Sequence, residues 1–248
     1  MTGVAGANLA NAKPALRQQA ARTRARSPAD KDLRRAHLVE AATRLFADAD
    51  FDAVTIARVA EAAGVAKGTA YLYFATKETL FVELVHAELT QWLPALAAKL
   101  QRLRSTWPAT AVPVAMARSL AERPVLRRLL VLLHPVIEPK LDEASARRFK
   151  LFLRDLLAQA SALIAAKIPG LSPAQAATLV LQTHALVISV TQLAEPPPVI
   201  ARVMAGDASL QSMQIDFEGF LALTLTTLVR GMLSQRATPG IPPGIPPA

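Results

Sequence analysis

Lys67, Thr69 and Tyr71, with Gly68 between them, have side chains suited to reading base edges. A lysine ammonium can donate to guanine O6 or N7, and a threonine methyl can touch thymine. Gly68 removes a side chain where a backbone would have to come close. Thr55, Tyr73 and Lys77 carry donors suited to phosphate oxygens, as do backbone N–H groups at a helix start just after Lys77. Arg58 has the reach for a phosphate or a base. From Gly64 to Lys77 the only charges are Lys67 and Lys77, so no carboxylate opposes a polyanion there. The plainer reading of each is a solvent-facing side chain, and the Tyr71 ring also suits packing.

Catalytic chemistry finds little support. His37, His86, His134 and His184 are scattered, with no HExxH or other metal-ligand spacing. No Gly-rich phosphate loop and no G-x-S-x-G elbow occurs. The chain has no cysteine, which excludes disulfides and thiolate metal sites. The acids Asp142 and Glu143 sit at a helix start, where the macrodipole explains them. No catalytic residue, metal or cofactor is expected.

The candidate contacts need elements to hold them. Thr55 is a good N-cap, and Ile56, Val59, Ala60 and Ala63 follow at helical spacing. Gly64 stops that helix as a left-handed C′ residue would. A second short helix then runs from Ala66 or Lys67 to Tyr73 or Phe74. Two short helices joined by a glycine turn make a helix-turn-helix, whose second helix enters the major groove. An earlier helix is expected from about Asp32 to Ala47, with Leu38, Ala41, Ala42, Leu45 and Phe46 inward. Thr76 caps a long fourth helix that carries Pro94 and extends toward Arg104.

Residues 38–81 resemble the DNA-binding domain of TetR/AcrR-type bacterial transcriptional regulators. The match lies in Ala41-Ala42, Leu45-Phe46, Thr55, Val59-Ala60 and Ala63-Gly64-Val65, then in the run from Lys67 to Phe74, and in Lys77-Glu78 and Leu80-Phe81. Asp50 stands where the family often has glycine, a place where a left-handed backbone would suit Asp better than most residues. Ala70 replaces a larger aliphatic residue. The resemblance implies an all-α homodimer that binds a palindromic operator in double-stranded DNA and releases it when a small effector binds.

Composition agrees with an all-α chain. The 248 residues are 52% hydrophobic and only 5% aromatic, rich in Ala and Leu. Four regions are expected: a flexible basic arm over 1–30, the DNA-binding domain over 31–80, a helical ligand-binding and dimerisation body over 81–236, and a disordered Pro/Gly tail over 237–248. Net charge is +9, of which +6 falls between Lys13 and Arg35, whereas residues 36–77 net −1. Pattern rather than bulk charge therefore marks the helix-turn-helix. The arm suits either DNA phosphates or solvation alone. The N-terminus shows no basic region followed by an apolar run, so no signal peptide is expected. Ile168 to Ala194 carries no formal charge, but Gln182, Thr183 and His184 interrupt it. A buried helix is expected there rather than a membrane span, and the protein is expected in the cytoplasm.

Prolines divide the body into helices near 109–121, 124–134, 142–167 and 173–194, a loop near Gly206, and a final helix at 216–234. The final helix is apolar on more than one face, which calls for cover on more than one side, and the 173–194 helix is uncharged with one apolar stripe. They are expected to form a four-helix dimer interface through Val180, His184 and Val187 on one helix. Phe217, Phe220, Leu221, Thr224 and Leu228 would serve on the other. Core helices of a monomer are the alternative. An effector pocket among body helices would draw on Trp107, His134, Phe149, Phe152, Thr183 and His184, and its apolar walls favour a hydrophobic effector. Two rival functions stand beside the ligand-responsive repressor. One is a DNA-binding dimer of the same fold with no ligand response; the other is a helical small-molecule or lipid-binding protein. Release of DNA by apolar compounds separates the first, and absence of sequence-specific DNA binding favours the second.

Overall fold

In the computed structural model the described residues are 28–104, 108 and 110–234. Residues 1–27 of the expected arm, the whole Pro/Gly tail and Trp107 lie outside them. Among the described residues every regular element is helical. Contacts divide the chain into two units, between Ala75 and Thr76.

The first unit begins with α1 (Pro28–Asp48), which buries Leu38, Ala41, Ala42 and Phe46 on one stripe. It starts earlier than the apolar pattern predicts. Proline fits a first helical turn and Asp30 complements the N-terminal dipole, so the added turns need no apolar residues. A 3₁₀ turn at Phe51–Ala53 follows. Asp50, ahead of it, has φ −75° and ψ 161°. That is ordinary extended backbone, so the left-handed conformation considered for Asp50 is not used. α2 (Ile56–Ala62) is capped by Thr55, whose hydroxyl accepts the Arg58 N–H at 3.3 Å. Its far end is a Schellman motif: Val65 N–H donates to the Ala60 carbonyl at 2.9 Å and Gly64 N–H to Glu61 at 3.0 Å. This closure puts Gly64 at φ +65°, where a Cβ is costly. α3 (Lys67–Tyr73) packs on α2 through Ala70, and Ala60 is buried as well. The small Ala70, noted above as a departure, lets the short helices approach. Phe74 closes the unit from below α3, with the Arg35 guanidinium 5.2 Å from its ring centroid.

The second unit opens with α4 (Lys77–Gln101). Thr76 caps it in a reciprocal box with Thr79, at 3.1 Å and 3.3 Å. Pro94 lies inside this helix, so the Thr90 carbonyl has no N–H partner one turn on. α5 (Ala111–Ala121) packs between α4 and the last helix, α10 (Phe217–Ser234). α6 (Pro124–Leu132) runs into a π turn at Leu133–Ile137 that contains Pro135, then a 3₁₀ turn at Glu138–Lys140. α7 (Glu143–Ala165) is capped by Asp142, and α8 (Pro173–Ala194) by a box of Ser172 with Gln175. α8 is long and apolar enough by length and composition to cross a membrane, but it packs against α6, α7 and α10. A buried arginine ties this packing together. Arg127 Nη2 lies 2.7 Å from Glu195 just beyond α8, and its guanidinium sits 4.1 Å from the Phe217 ring centroid at the start of α10.

The stretch expected to be a loop near Gly206 contains α9 (Pro198–Gly206) and a 3₁₀ turn at Ala208–Met213. Two features concealed it. Pro198 begins the helix instead of merely ending the previous one, and α9 buries no residue, so no inward stripe marks it.

Candidate DNA-recognition face and body cavity

On α3 the backbone turns Ala70 inward and leaves Lys67, Gly68, Tyr71 and Leu72 exposed. Lys67 and Tyr71 are one turn apart, as are Gly68 and Leu72, so the four share one outer face. Nothing lies within 4 Å of a Cβ built on Gly68, so the glycine answers no crowding within the chain. Thr69 and Tyr73 are half-buried along the edge of that face. Leu72, at 86% exposure, is a candidate missed in the sequence. An apolar residue that no core element covers was its only signal, and exposure cannot be read from a seven-residue helix.

The remaining candidates are placed differently. Thr55 is exposed, with its hydroxyl oxygen engaged as the α2 cap. Arg58 is exposed, but its guanidinium donates to the Ala53 carbonyl at 2.6 Å, back onto its own unit. Lys77 opens α4 in the second unit, half-buried, with Nζ 5.7 Å from the Phe81 ring centroid.

Within the second unit, α4 to α8 line a partly open cavity of about 320 Å³. Its walls are apolar, with Leu89 and Trp92 from α4, Met116 from α5, Leu157 from α7 and Val187 from α8. Trp92 keeps its indole N–H satisfied by donating to Ser119 Oγ at 3.1 Å, so a polar ring edge is buried without loss. Of the expected pocket residues, Thr183 and His184 line the cavity. The Thr183 hydroxyl donates to Leu179 O within its own helix at 2.7 Å. His134 stands one hydrogen bond behind His184. Phe149 and Phe152 stack on each other at 6.3 Å and Phe152 meets His86 at 4.0 Å, off the lining. Neither lines the cavity: Phe149 is buried in the core, and Phe152 is engaged with His86 of α4.

His184 ends a polar chain. His184 Nε2 lies 2.9 Å from His134 Nε2, His134 Nδ1 lies 3.0 Å from Glu138, and Glu138 accepts from Lys150 Nζ at 2.6 Å. Facing a carboxylate, His134 Nδ1 carries a proton, and a single proton serves the contact between the imidazoles. Burial holds the His184 pKa below 6.5, and a charge on His134 adds to the shift against the opposing pull of Glu138. Burial raises the Glu138 pKa, but hydrogen bonds from Lys150 and His134 outweigh it and leave the carboxyl below its ordinary value. Because the folded chain resists a proton on His184 that the unfolded chain accepts, stability falls as pH drops through 6.5. Glu138 acts only further down, below 4.5. The expected result is a thermal midpoint that declines from neutral pH to a unit below 6.5, with His184→Gln flattening that decline. An equal slope in the variant refutes the assignment.

Among the described residues no three His, Cys, Asp or Glu side chains are grouped as a metal site would require. The expected dimer residues divide by burial. Val187, Phe217 and Leu221 are buried in the chain's own core, and Val180, His184, Thr224 and Leu228 are half-buried. Phe220 is exposed, and it is joined by Leu223 on α10 and by Leu181 and Leu193 on α8. α8 carries no charge and α10 has apolar residues on several sides, so periodicity could not tell the inner side from the outer.

A helix-turn-helix head with an exposed recognition face, followed by a helical body, defines a class of DNA-binding transcriptional regulator. Family comparison agrees. Residues 38–84 match the model described as "Bacterial regulatory proteins, tetR family", and residues 86–236 match "Tetracyclin repressor-like, C-terminal domain". The chain belongs to the TetR family and is a DNA-binding transcriptional regulator. Among solved structures it resembles the fatty acid degradation regulator FadR from Bacillus halodurans (13% identity, 80% of this chain and 96% of that one, TM-score 0.53). FadR from Bacillus subtilis, solved with stearoyl-CoA, gives 16% identity over 78% and 96%, TM-score 0.49. A TetR regulator from Rhodococcus sp. RHA1 gives 20% identity over 81% and 97%, TM-score 0.49. No curated protein matches the chain in sequence.

Proposed function

We propose that this chain is a cytoplasmic homodimeric repressor, without catalytic activity, that binds a palindromic operator and leaves it when a small apolar effector fills the body cavity. The observation that carries this reading is the outer face of α3, where Lys67, Gly68, Tyr71 and Leu72 are exposed together and no acid accompanies them. Lys67, Thr69 and Tyr71 read base edges; Thr55, Tyr73 and Lys77 position the head on phosphates. Leu72 meets a thymine methyl. Arg58 joins them only after releasing Ala53. The effector must prefer a state in which the two recognition helices no longer match half-sites about one helical turn apart, ~34–36 Å. Selection of bound duplexes from a random pool tests the proposal. Enrichment of a palindrome supports it, and binding with no enriched sequence overturns it.

Dimerisation is assigned to the outer faces of α8 and α10, where Leu193 and Leu223 are exposed. The outward positions of α8, including Thr178, Ala185 and Ser189, carry no charge. In a twofold pair each face meets its own copy. Leu193→Glu combined with Leu223→Glu would bury unpaired carboxylates, at a cost of several kcal/mol. The expected result is a monomer by light scattering with unchanged helicity; a persistent dimer places the interface elsewhere.

A further inference from the structure

We propose that the cavity takes an amphiphile bearing one anionic group, with its apolar tail against Trp92 and Leu157 and its anion at Lys150 and Arg154. This rests on the effector reading above and adds the ligand's chemistry. Among the described residues, the only formally charged ones that line the cavity are these two cations, one turn apart on α7, and no described acid lines it. The remainder is apolar apart from Thr183 and His184. Thr183 spends its hydroxyl proton on Leu179, which leaves the two cations as the strong donors toward a ligand.

Both cations can turn to a ligand without stranding an acid. Lys150 pairs with Glu138, but Glu138 keeps His134 as a second partner at 3.0 Å when the lysine leaves. Arg154 pairs with its neighbour Asp155 where both side chains are more than half exposed, a pairing of little worth in water. Neither carboxylate lines the cavity. An uncharged ligand would leave the cations hydrated at the mouth, and a cationic one would meet like charge. An anion gains charge-assisted hydrogen bonds while its chain displaces water from apolar walls.

The test uses the full-length protein and a neutral fluorescent reporter, N-phenyl-1-naphthylamine, displaced by decanoate, decan-1-ol or decylammonium. Decanoate is expected to compete about tenfold more strongly than decanol, the scale of one charge-assisted hydrogen bond, with decylammonium weakest. In Lys150→Gln/Arg154→Gln the decanoate advantage disappears while decanol is unchanged. Equal competition by all three compounds, or an undiminished decanoate advantage in the double variant, overturns the inference and leaves the cavity reading standing. Leu157→Trp, which fills the cavity, controls for place. If it leaves reporter and ligand binding untouched, the effector reading fails at this cavity and the inference falls with it.

Discussion

Replacing Lys67 and Tyr71 together by alanine removes operator recognition and leaves the fold intact. Lys67 is exposed and Tyr71 is 46% exposed, and neither fills the core beneath α3. Each base-edge contact discriminates by about 1–3 kcal/mol, so loss of two predicts a fall of roughly 30-fold to 10⁴-fold on the selected palindrome. Binding to unrelated duplexes should weaken far less, because phosphate contacts supply most of it. Titration of the double variant and wild type on specific and scrambled duplexes, at one salt concentration, measures the ratio. If specific and scrambled DNA weaken equally, these side chains are phosphate contacts and another face reads the bases.

Phe46→Ala acts on the same function from inside. Phe46 is 1% exposed, on the α1 stripe with Leu38 and Ala42, in a unit that has few other large side chains. Removing a buried phenyl ring costs about 3–5 kcal/mol, a large part of what a small unit has in reserve. The expected result is loss of DNA binding together with rapid amide exchange over residues 28–75, while body amides after Ala75 stay protected. Because the chain divides at Ala75–Thr76, the variant also tests whether the two units unfold independently. Uniform loss of protection along the whole chain would show a single cooperative unit. Full DNA affinity would show that the ring is dispensable.

The elements of the DNA-binding head were legible before any coordinates, because each rests on a rule that acts within a few residues. A threonine cap, a glycine at φ +65° and a capped α4 are decided by neighbours in sequence. The Ser172 box with Pro173 gave α8 its start for the same reason. The exceptions are equally local in character. α9 begins at a proline and buries nothing, so the inward stripe that reveals most helices is absent.

The candidate site was legible in part. Lys67, Gly68 and Tyr71 stand on one exposed face as their spacing requires, but Leu72 joins them only because no described residue covers it. Arg58 has the right reach, yet a carbonyl at Ala53 holds its guanidinium. In the body, Thr183 and His184 reach the cavity whereas Phe149 and Phe152 pack elsewhere, since a helix with apolar residues on several sides does not say which side meets which neighbour.

By itself the sequence determined the helical class and the capped helix starts at Thr55, Thr76 and Ser172, because caps, glycine conformation and helical period are short-range physics. Only tertiary structure decided which sides of α8 and α10 face inward, and that Leu193 and Leu223 face out. It also joined His134 to His184, fifty residues apart, and set Lys150 and Arg154 at one apolar cavity. Those outcomes depend on how whole helices pack against one another, and local sequence carries no record of that packing.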